Sequence, residues 1–427
     1  MRPFSFGRGP SGAGVVAAGA RPGGEGYLAR TFQSLTVPEF RLLWLGMLFM
    51  MGGIRIQMIA QAQLAYDLSG LAFAVGIVGA GFAPPILIFS LFGGVIADRF
   101  DRKRIIQIAQ IGNLMVSAFV ALSIHTGTVT IYHLAGASLC QGLVFAFMMP
   151  ARQSIIPRLV GEERVSNALA LNAGAMSLMT MVGPAVAGIL YAQFGPGVAL
   201  DAVVALSAAA VVLTSMLPSM PPRRTGGESR VGAEMLEGLR YAARRPAILG
   251  ILLLLVALTL LAMPFQNLMP VYVDEKLGMG ARELGYLMSA IGAGSLVGSF
   301  GVAALRKGGP RGIVLISSAV VSGVSLAMLS GPANLTFALA VMLVFGVGNA
   351  CKIALSNALL LEQSEDAYRG RVTGLYMMSY GLMPLGILPM GAAADLWGIT
   401  PTLFVAGALL AAVGAWYMLF MPRVRRL

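Results

Sequence analysis

Twelve apolar runs, most of them about twenty residues or longer, constrain this chain more than any other feature. They fall at about 40–64, 71–97, 105–125, 130–150, 168–192, 197–217, 247–272, 284–305, 313–331, 334–356, 372–396 and 400–421. At about 1.5 Å of rise per residue, such a run is long enough as a helix to cross a hydrocarbon core of about 30 Å. With 57% of its residues apolar and 11% charged, a water-soluble fold would carry far too greasy a surface, because soluble domains are about 25% charged. The 54 glycines agree: poor helix formers in water, they allow close backbone approach between membrane helices. Pro84, Pro85, Pro184, Pro384 and Pro389 stand inside runs, where membrane helices tolerate kinks. The expected fold is an all-α membrane protein with twelve transmembrane helices.

The charges set the orientation. The net charge of +12 is spread over the gaps between runs rather than gathered in one patch, which argues against nucleic-acid binding. With the N-terminus placed in the cytoplasm, 26 of the 30 Lys and Arg lie on the cytoplasmic side, two (Lys276 and Arg282) lie outside, and two (Arg55 and Lys352) lie within runs. Cytoplasmic loops collect basic residues, so both termini are expected inside and the number of spans is even. Residues 1–36, rich in Gly, Arg and Pro and without periodicity, are expected to form a disordered cytoplasmic tail rather than a targeting segment. Cys140 and Cys351 sit in apolar runs, where ordinary packing is expected and a disulfide is not.

The chain repeats itself. Gly183, Gly188 and Gly195 match Gly386, Gly391 and Gly398 at the same spacings, and Gly94-Val95 with its basic run echoes Gly301-Val302 with Arg306 and Lys307. Duplication of a six-span unit is a transporter architecture with the substrate handled between the halves. The expected organisation is a tail (1–36), an N-terminal six-helix half (37–217), a cytoplasmic linker (218–246), a C-terminal six-helix half (247–421) and a short cytoplasmic tail (422–427). Within the linker, Glu234 to Arg245 reads as an amphipathic helix on the inner membrane face.

Charge inside the runs is the most informative chemistry. Arg55 stands in the middle of the first run near Gln57, Gln61 and Gln63, and Lys352 stands in the tenth, one turn from Asn349. A charge at the bilayer centre costs about 2.5–3.5 kcal/mol, so such residues face a wet cavity or a partner, or take a structural role between helices. No carboxylate occupies the middle of the first or fourth run, and Asp201, about one turn into the sixth, is the best acidic candidate for proton coupling. His125 and His133 lack the rest of a metal site. Gly292-x-Gly294-x-x-x-Gly298 lies in the membrane with no strand before it and reads as helix packing. Asn334-Leu335-Thr336 is a formal glycosylation sequon that starts a span. The chain has no GxxxxGK[ST] phosphate loop, and no nucleophile–base constellation is placed for chemistry. No cofactor is expected.

The most specific local signal is GVIADRFDRKR at 94–104, followed by PARQ at 150–153, GPAVAG at 183–188 and RGRVTGLY at 369–376. Asp98 there can pair with Arg102 and face the positive N-terminus of a neighbouring helix. These stretches resemble the signatures of the major facilitator superfamily, and the resemblance extends over nearly the whole chain beyond the tail. It is similar to the bacterial efflux branch that includes enterobactin exporters and macrolide efflux proteins. Asp101 stands where the general loop signature has Gly, and Met179 stands where the antiporter motif has an upstream Gly. The resemblance implies two six-helix halves rocking about a central site in the cytoplasmic membrane of a bacterium. It implies a cytoplasmic latch at Gly94, Asp98, Arg99 and Arg102, and an antiporter-like motif at Gly183, Pro184 and Gly188. It also implies that spans one, four, seven and ten line a central cavity, which would place Arg55, Gln57, Gln61, Gln141, Gln266, Asn267, Asn349 and Lys352 on cavity helices.

The function expected from these residues and this resemblance is secondary active transport. The chain would export a small amphiphilic or anionic molecule, a siderophore-like metabolite or a drug, by alternating access, as an antiporter with protons. Its partners would be that molecule, protons and the lipid bilayer, and it would work as a monomer. Uptake of a small solute is the alternative within transport. A non-transporting sensor on the same fold would need a signalling domain, and a membrane enzyme would need a catalytic constellation.

Overall fold

The computed structural model describes residues 32–89, 100–219, 231–305 and 309–427. The latch residues Gly94, Asp98 and Arg99 lie outside the described residues. Among the described residues, eleven helices are long and apolar enough to cross a membrane. One of them, the 51-residue run Val165–Ser215, changes direction at Gly195 (φ 84°, ψ 175°) and so supplies two spans. The twelve are α1 (Pro38–Ser69), α2 (Ala72–Phe89), α3 (Arg102–His125), α4 (Ile131–Val160), α5 (165–194), α6 (196–215), α7 (Pro246–Glu275), α8 (Ala281–Ala303), α9 (Arg311–Met328), α10 (Leu335–Gln363), α11 (Arg369–Trp397) and α12 (Ile399–Phe420). A linker helix, Val231–Arg244, runs between the two sets of six.

The turn between α5 and α6 recurs between α11 and α12, where Gly398 has φ 84° and ψ 158°. Both turns lie in a left-handed region that a side chain resists, so a glycine is required at each. The duplication read from glycine spacing thus extends to the backbone conformation. Other helix starts follow local capping rules. Thr130 and His133 form a capping box for α4, and Asn334, the sequon residue, accepts from the N–H groups of Thr336 (2.8 Å) and Phe337 (3.2 Å) to start α10. Asp101 caps α3 through the N–H of Lys103 (2.8 Å), while Lys103 Nζ donates to the carbonyl of Ser215 (2.8 Å) and to that of Leu217. Asp101 also accepts from Ser219 Oγ, so the carboxylate that stands where the general signature has Gly helps tie the start of α3 to the chain just after α6.

Several helices outrun their apolar runs. α4 continues to Val160, past the apolar end near 150, and α10 continues to Gln363, past 356. Hydropathy marks where the bilayer ends, whereas the backbone ladder continues as long as nothing breaks it. The bundle has two ends. One carries the start of α1, the end of α12, the linker helix and most of the described Lys and Arg, and is called the basic-rich end; the other is the basic-poor end.

The halves α1–α6 and α7–α12 meet along two seams. On one, the backbones of α5 and α8 approach so closely that a β-carbon on Gly188 would stand 2.5 Å from the Ala281 carbonyl oxygen, and one on Gly285 would stand 2.6 Å from that of Pro184. On the other, α2 packs on α11, with Gly76 against the Ile387 carbonyl. These approaches lie towards the basic-poor end. Nearer the basic-rich end, a β-carbon on Gly174 of α5 or Gly301 of α8 would meet nothing within 4 Å among the described residues.

At the basic-rich end the linker helix docks on the segment between α10 and α11. Tyr241 stacks on Tyr368 with ring centroids 4.1 Å apart, Arg371 Nη1 donates to Glu237 Oε1 (2.8 Å), and Arg245 pairs with Glu365.

A central cavity between the halves

A cavity of about 270 Å³ lies between the halves, walled by α1, α2, α4, α5, α7 and α11. From α1 come Arg55, Gln61 and two methionines, Met51 and Met58. From α4 come Gln141 and Phe145, and from α7 come Met263, Gln266 and Asn267. Phe82 of α2, Met176 of α5, and Tyr380 and Met383 of α11 complete most of the wall. The wall is mainly apolar and aromatic, with polar groups at a few points, which is the usual make-up of a small-molecule site.

Among the described residues, Arg55 is the one charged side chain on this wall. No carboxylate lines the cavity among the described residues, and among them Arg55 has neither an ion-pair nor a hydrogen-bond partner. Two neutral donors are also unused: the side-chain Nε2 atoms of Gln61 and Gln141 are buried without a partner. An unpaired cation and two free amide donors make the wall donor-rich, so a ligand bearing oxygen acceptors would satisfy groups that are otherwise left desolvated. Asn267 leans over Gly79, where a β-carbon would come within 2.7 Å of its Oδ1. That packing carries a residue of the second half across to α2 of the first.

Five of the eight cavity residues expected from the sequence meet here: Arg55, Gln61, Gln141, Gln266 and Asn267. Three do not. Gln57 follows Arg55 by two residues, about 200° round the helix, and is fully buried with its Oε1 accepting from Ser117 Oγ of α3 at 2.8 Å. Lys352 is 2% exposed and lies outside the cavity wall, without a partner among the described residues. It shares a face of α10 with Phe345, which packs on Phe265 of α7 (centroids 6.0 Å), and with Gly348, which packs on Ser322 of α9. Asn349 is half-buried and also off the wall. None of the α10 candidates reaches this wall, which α2, α5 and α11 line together with α1, α4 and α7. Tyr380, Phe82 and Phe145 escaped sequence reasoning because aromatic residues in an apolar run carry no signal that separates core from cavity.

The antiporter-like motif sits beside this wall. A β-carbon on Gly183 would stand 2.6 Å from the β-carbon of Arg55, so Gly183 makes the room in which that side chain leaves α1. Pro184 and Gly188 face α8 across the seam. Asp201 lies away from the cavity. It pairs with His125 Nε2 at 3.0 Å, both side chains being half exposed at the basic-poor end. Of the latch residues, Arg102 is described and is 7% exposed at the start of α3. Arg152, just past the apolar run that ends near 150, is buried within α4 and donates from Nη2 to the Leu43 carbonyl of α1 (2.8 Å).

Comparison with known proteins agrees with this architecture. Residues 29–426 match the family model described as a transmembrane secretion effector. The chain is 25% identical over 387 residues to the multidrug efflux pump Tap of Mycolicibacterium fortuitum, covering 88% of this chain and 93% of that protein. It is 27% identical over 361 residues to the enterobactin exporter EntS of Shigella boydii, covering 80% and 81%. Among solved structures, the nucleoside transporter NupG superposes with a TM-score of 0.69 at 14% identity, covering 88% of this chain and 98% of that one. A bacterial homologue of the human lysosomal transporter Spinster, in an inward-facing and unoccupied conformation, superposes with a TM-score of 0.69 at 15% identity, covering 91% and 98%. A twelve-helix bundle in two halves, with a donor-rich cavity between them and a family match over nearly its whole length, makes this chain a transmembrane secretion effector of the major facilitator superfamily.

Proposed function

We propose that the protein exports a small amphiphilic molecule bearing an acidic or acceptor-rich group, siderophore-like or drug-like, by alternating access in exchange for protons. The observation that carries this reading is Arg55: a cation on the cavity wall with no partner among the described residues and no carboxylate beside it. A lipophilic cation would be repelled there, whereas an anion would neutralise the site. The aromatic and methionine wall suits the apolar body of an amphiphile. Relatives that include a multidrug efflux pump and an enterobactin exporter support export over uptake.

In this reading the basic-rich end faces the cytoplasm, and both termini lie inside. The close approaches at Gly76, Gly188 and Gly285 then lie at the outer end, which suits an inward-facing conformation. With no acid on the cavity wall, proton exchange would run through groups away from it, such as Asp201 with His125. Asp98 and Arg102 would close the cytoplasmic side in the opposite state.

The test is purified protein in liposomes, assayed for proton flux driven by an anionic catecholate and by a lipophilic cation, with the pH gradient imposed in each direction. Flux coupled to the anion supports the reading. Flux driven by the cation alone, or catecholate movement indifferent to the pH gradient, overturns it.

A further inference from the structure

The hydrogen bonds at the basic-poor end sort into two kinds. Tyr191 to Asp67 (2.5 Å), Gln63 to Asp67 (2.8 Å) and His125 to Asp201 stay within the first half, and the N–H of Ile399 to Glu275 (3.3 Å) stays within the second. These would survive a rocking motion of rigid halves. Three others join the halves among the described residues, and all three lie at this end. Tyr66 Oη of α1 donates to Asp274 Oδ2 of α7 at 3.0 Å. Asp395, at the end of α11, accepts from the first two N–H groups of α2: Ala72 N to Oδ1 at 2.6 Å and Phe73 N to Oδ2 at 2.9 Å.

The cap on α2 is unusual in its origin. A helix leaves its first N–H groups unpaired, and a neighbouring residue in the chain normally satisfies them. The residue before α2 is Leu71, whose side chain cannot, so the capping role passes to a carboxylate 323 positions along the chain, in the other half. The carboxylate also meets the positive end of the α2 dipole. Gly391, one turn before Asp395, permits the approach, since a β-carbon there would stand 3.0 Å from the Ala72 carbonyl oxygen. The sequence carries the same Gly-x-x-Ala-Asp pattern twice, as Gly94 to Asp98 at the end of the second apolar run and as Gly391 to Asp395 at the end of α11. By the topology read from the basic residues, the two positions are expected on opposite sides of the membrane.

We propose that Asp395 is the latch of the outer gate: its carboxylate, clasping the N-terminus of α2 across the two halves, holds the inward-facing state closed to the outside and must let go before the cavity can open outward. The Tyr66–Asp274 bond is the second clasp of the same gate. The repeated pattern suits Asp395 as the outer counterpart of the expected cytoplasmic latch at Asp98. The proposal rests on the alternating-access reading above.

The test replaces Cys140 and Cys351 by Ala, introduces Ala62→Cys on the cavity wall, and measures labelling by a membrane-impermeant maleimide in right-side-out and inside-out vesicles. The parent is expected to label from the cytoplasmic side and slowly from outside. Asp395→Ala should raise outside labelling about 2- to 30-fold, the range that loss of a helix cap corresponds to. Asp395→Glu should restore part of the closure, and adding Tyr66→Phe to Asp395→Ala should open it further. Glu283→Ala removes a cap of α8 that lies wholly within the second half (Gly280 N to Oε2, 3.2 Å) and should change nothing. If Asp395→Ala does not yield folded protein, Asp395→Asn, which keeps one acceptor, should give a smaller rise. Unchanged outside labelling in folded variants that still label from the cytoplasm overturns the latch. A parent that does not label from the cytoplasmic side overturns the inward-facing reading instead.

Discussion

Gly183 of α5 lies directly against Arg55 of α1, with space for a hydrogen atom and none for a methyl group between its α-carbon and the Arg55 β-carbon. The antiporter-like motif therefore touches the cavity cation at its root. Gly183→Ala should displace the Arg55 side chain or push α5 away, at an overpacking cost of about 1–3 kcal/mol. If the contact positions Arg55, apparent affinity for an anionic substrate falls more than for a neutral one of similar shape. Equal loss of both, tracking a fall in thermal stability, would mark the glycine as packing alone.

Arg55 and Lys352 looked equivalent in the sequence, and the structure separates them. Arg55→Gln should abolish the preference for an anion over a cation in the same vesicles. Lys352→Met should leave that preference intact, because Lys352 is off the wall. Replacing a buried, unpartnered ammonium by an apolar chain of similar size should raise stability on the order of 1 kcal/mol or more, read as a higher Tm in detergent. A shifted charge preference in the Lys352 variant would return it to the cavity.

The linker helix should respond to its aromatic clasp. Tyr241→Ala removes a stacked pair with Tyr368, a contact of about 0.5–1.5 kcal/mol. Faster protease cleavage of the linker in inside-out vesicles is expected, without any change in the thermal stability of the bundle. An unchanged cleavage rate would mean that the ion pairs from Glu237 and Arg245 hold the helix unaided.

Topology is testable by reporter fusions. Fusions after Gly127 and Gly331 should report outside, and fusions after Gly226 and at the C-terminus should report inside. Gly226 lies outside the described residues, and its placement rests on the basic residues around it. An external signal at Gly226 would break the even span count.

The fold was legible because one physical quantity, apolar length, decides it. The paired turns were legible through glycine spacing, since no other residue takes φ 84° cheaply. The cavity was legible only in part. Arg55, Gln61 and Gln141 stood out as polar residues in apolar runs, but a run does not state which way a side chain points. Helical periodicity could have set Gln57 apart from Arg55, because two residues is over half a turn. Nothing local could have placed Lys352 in the interior of the second half, or made Tyr380 a wall residue, because both depend on how α7, α10 and α11 pack. Arg152 was missed for a different reason: α4 continues beyond its apolar stretch, so a residue that reads as loop is helix.

Five methionines line the cavity: Met51, Met58, Met176, Met263 and Met383. Each has three rotatable bonds and a polarisable sulfur, so this lining can rearrange around differently shaped guests at little cost. Under the proposed function, shape is then a weak filter and the Arg55 guanidinium a strong one. For an inhibitor programme the consequence is that potency should follow the ionisation of a compound more closely than its outline. For the cell, it is that oxidising stress, by turning thioethers into rigid polar sulfoxides, would narrow the range of cargo before it disturbed the fold.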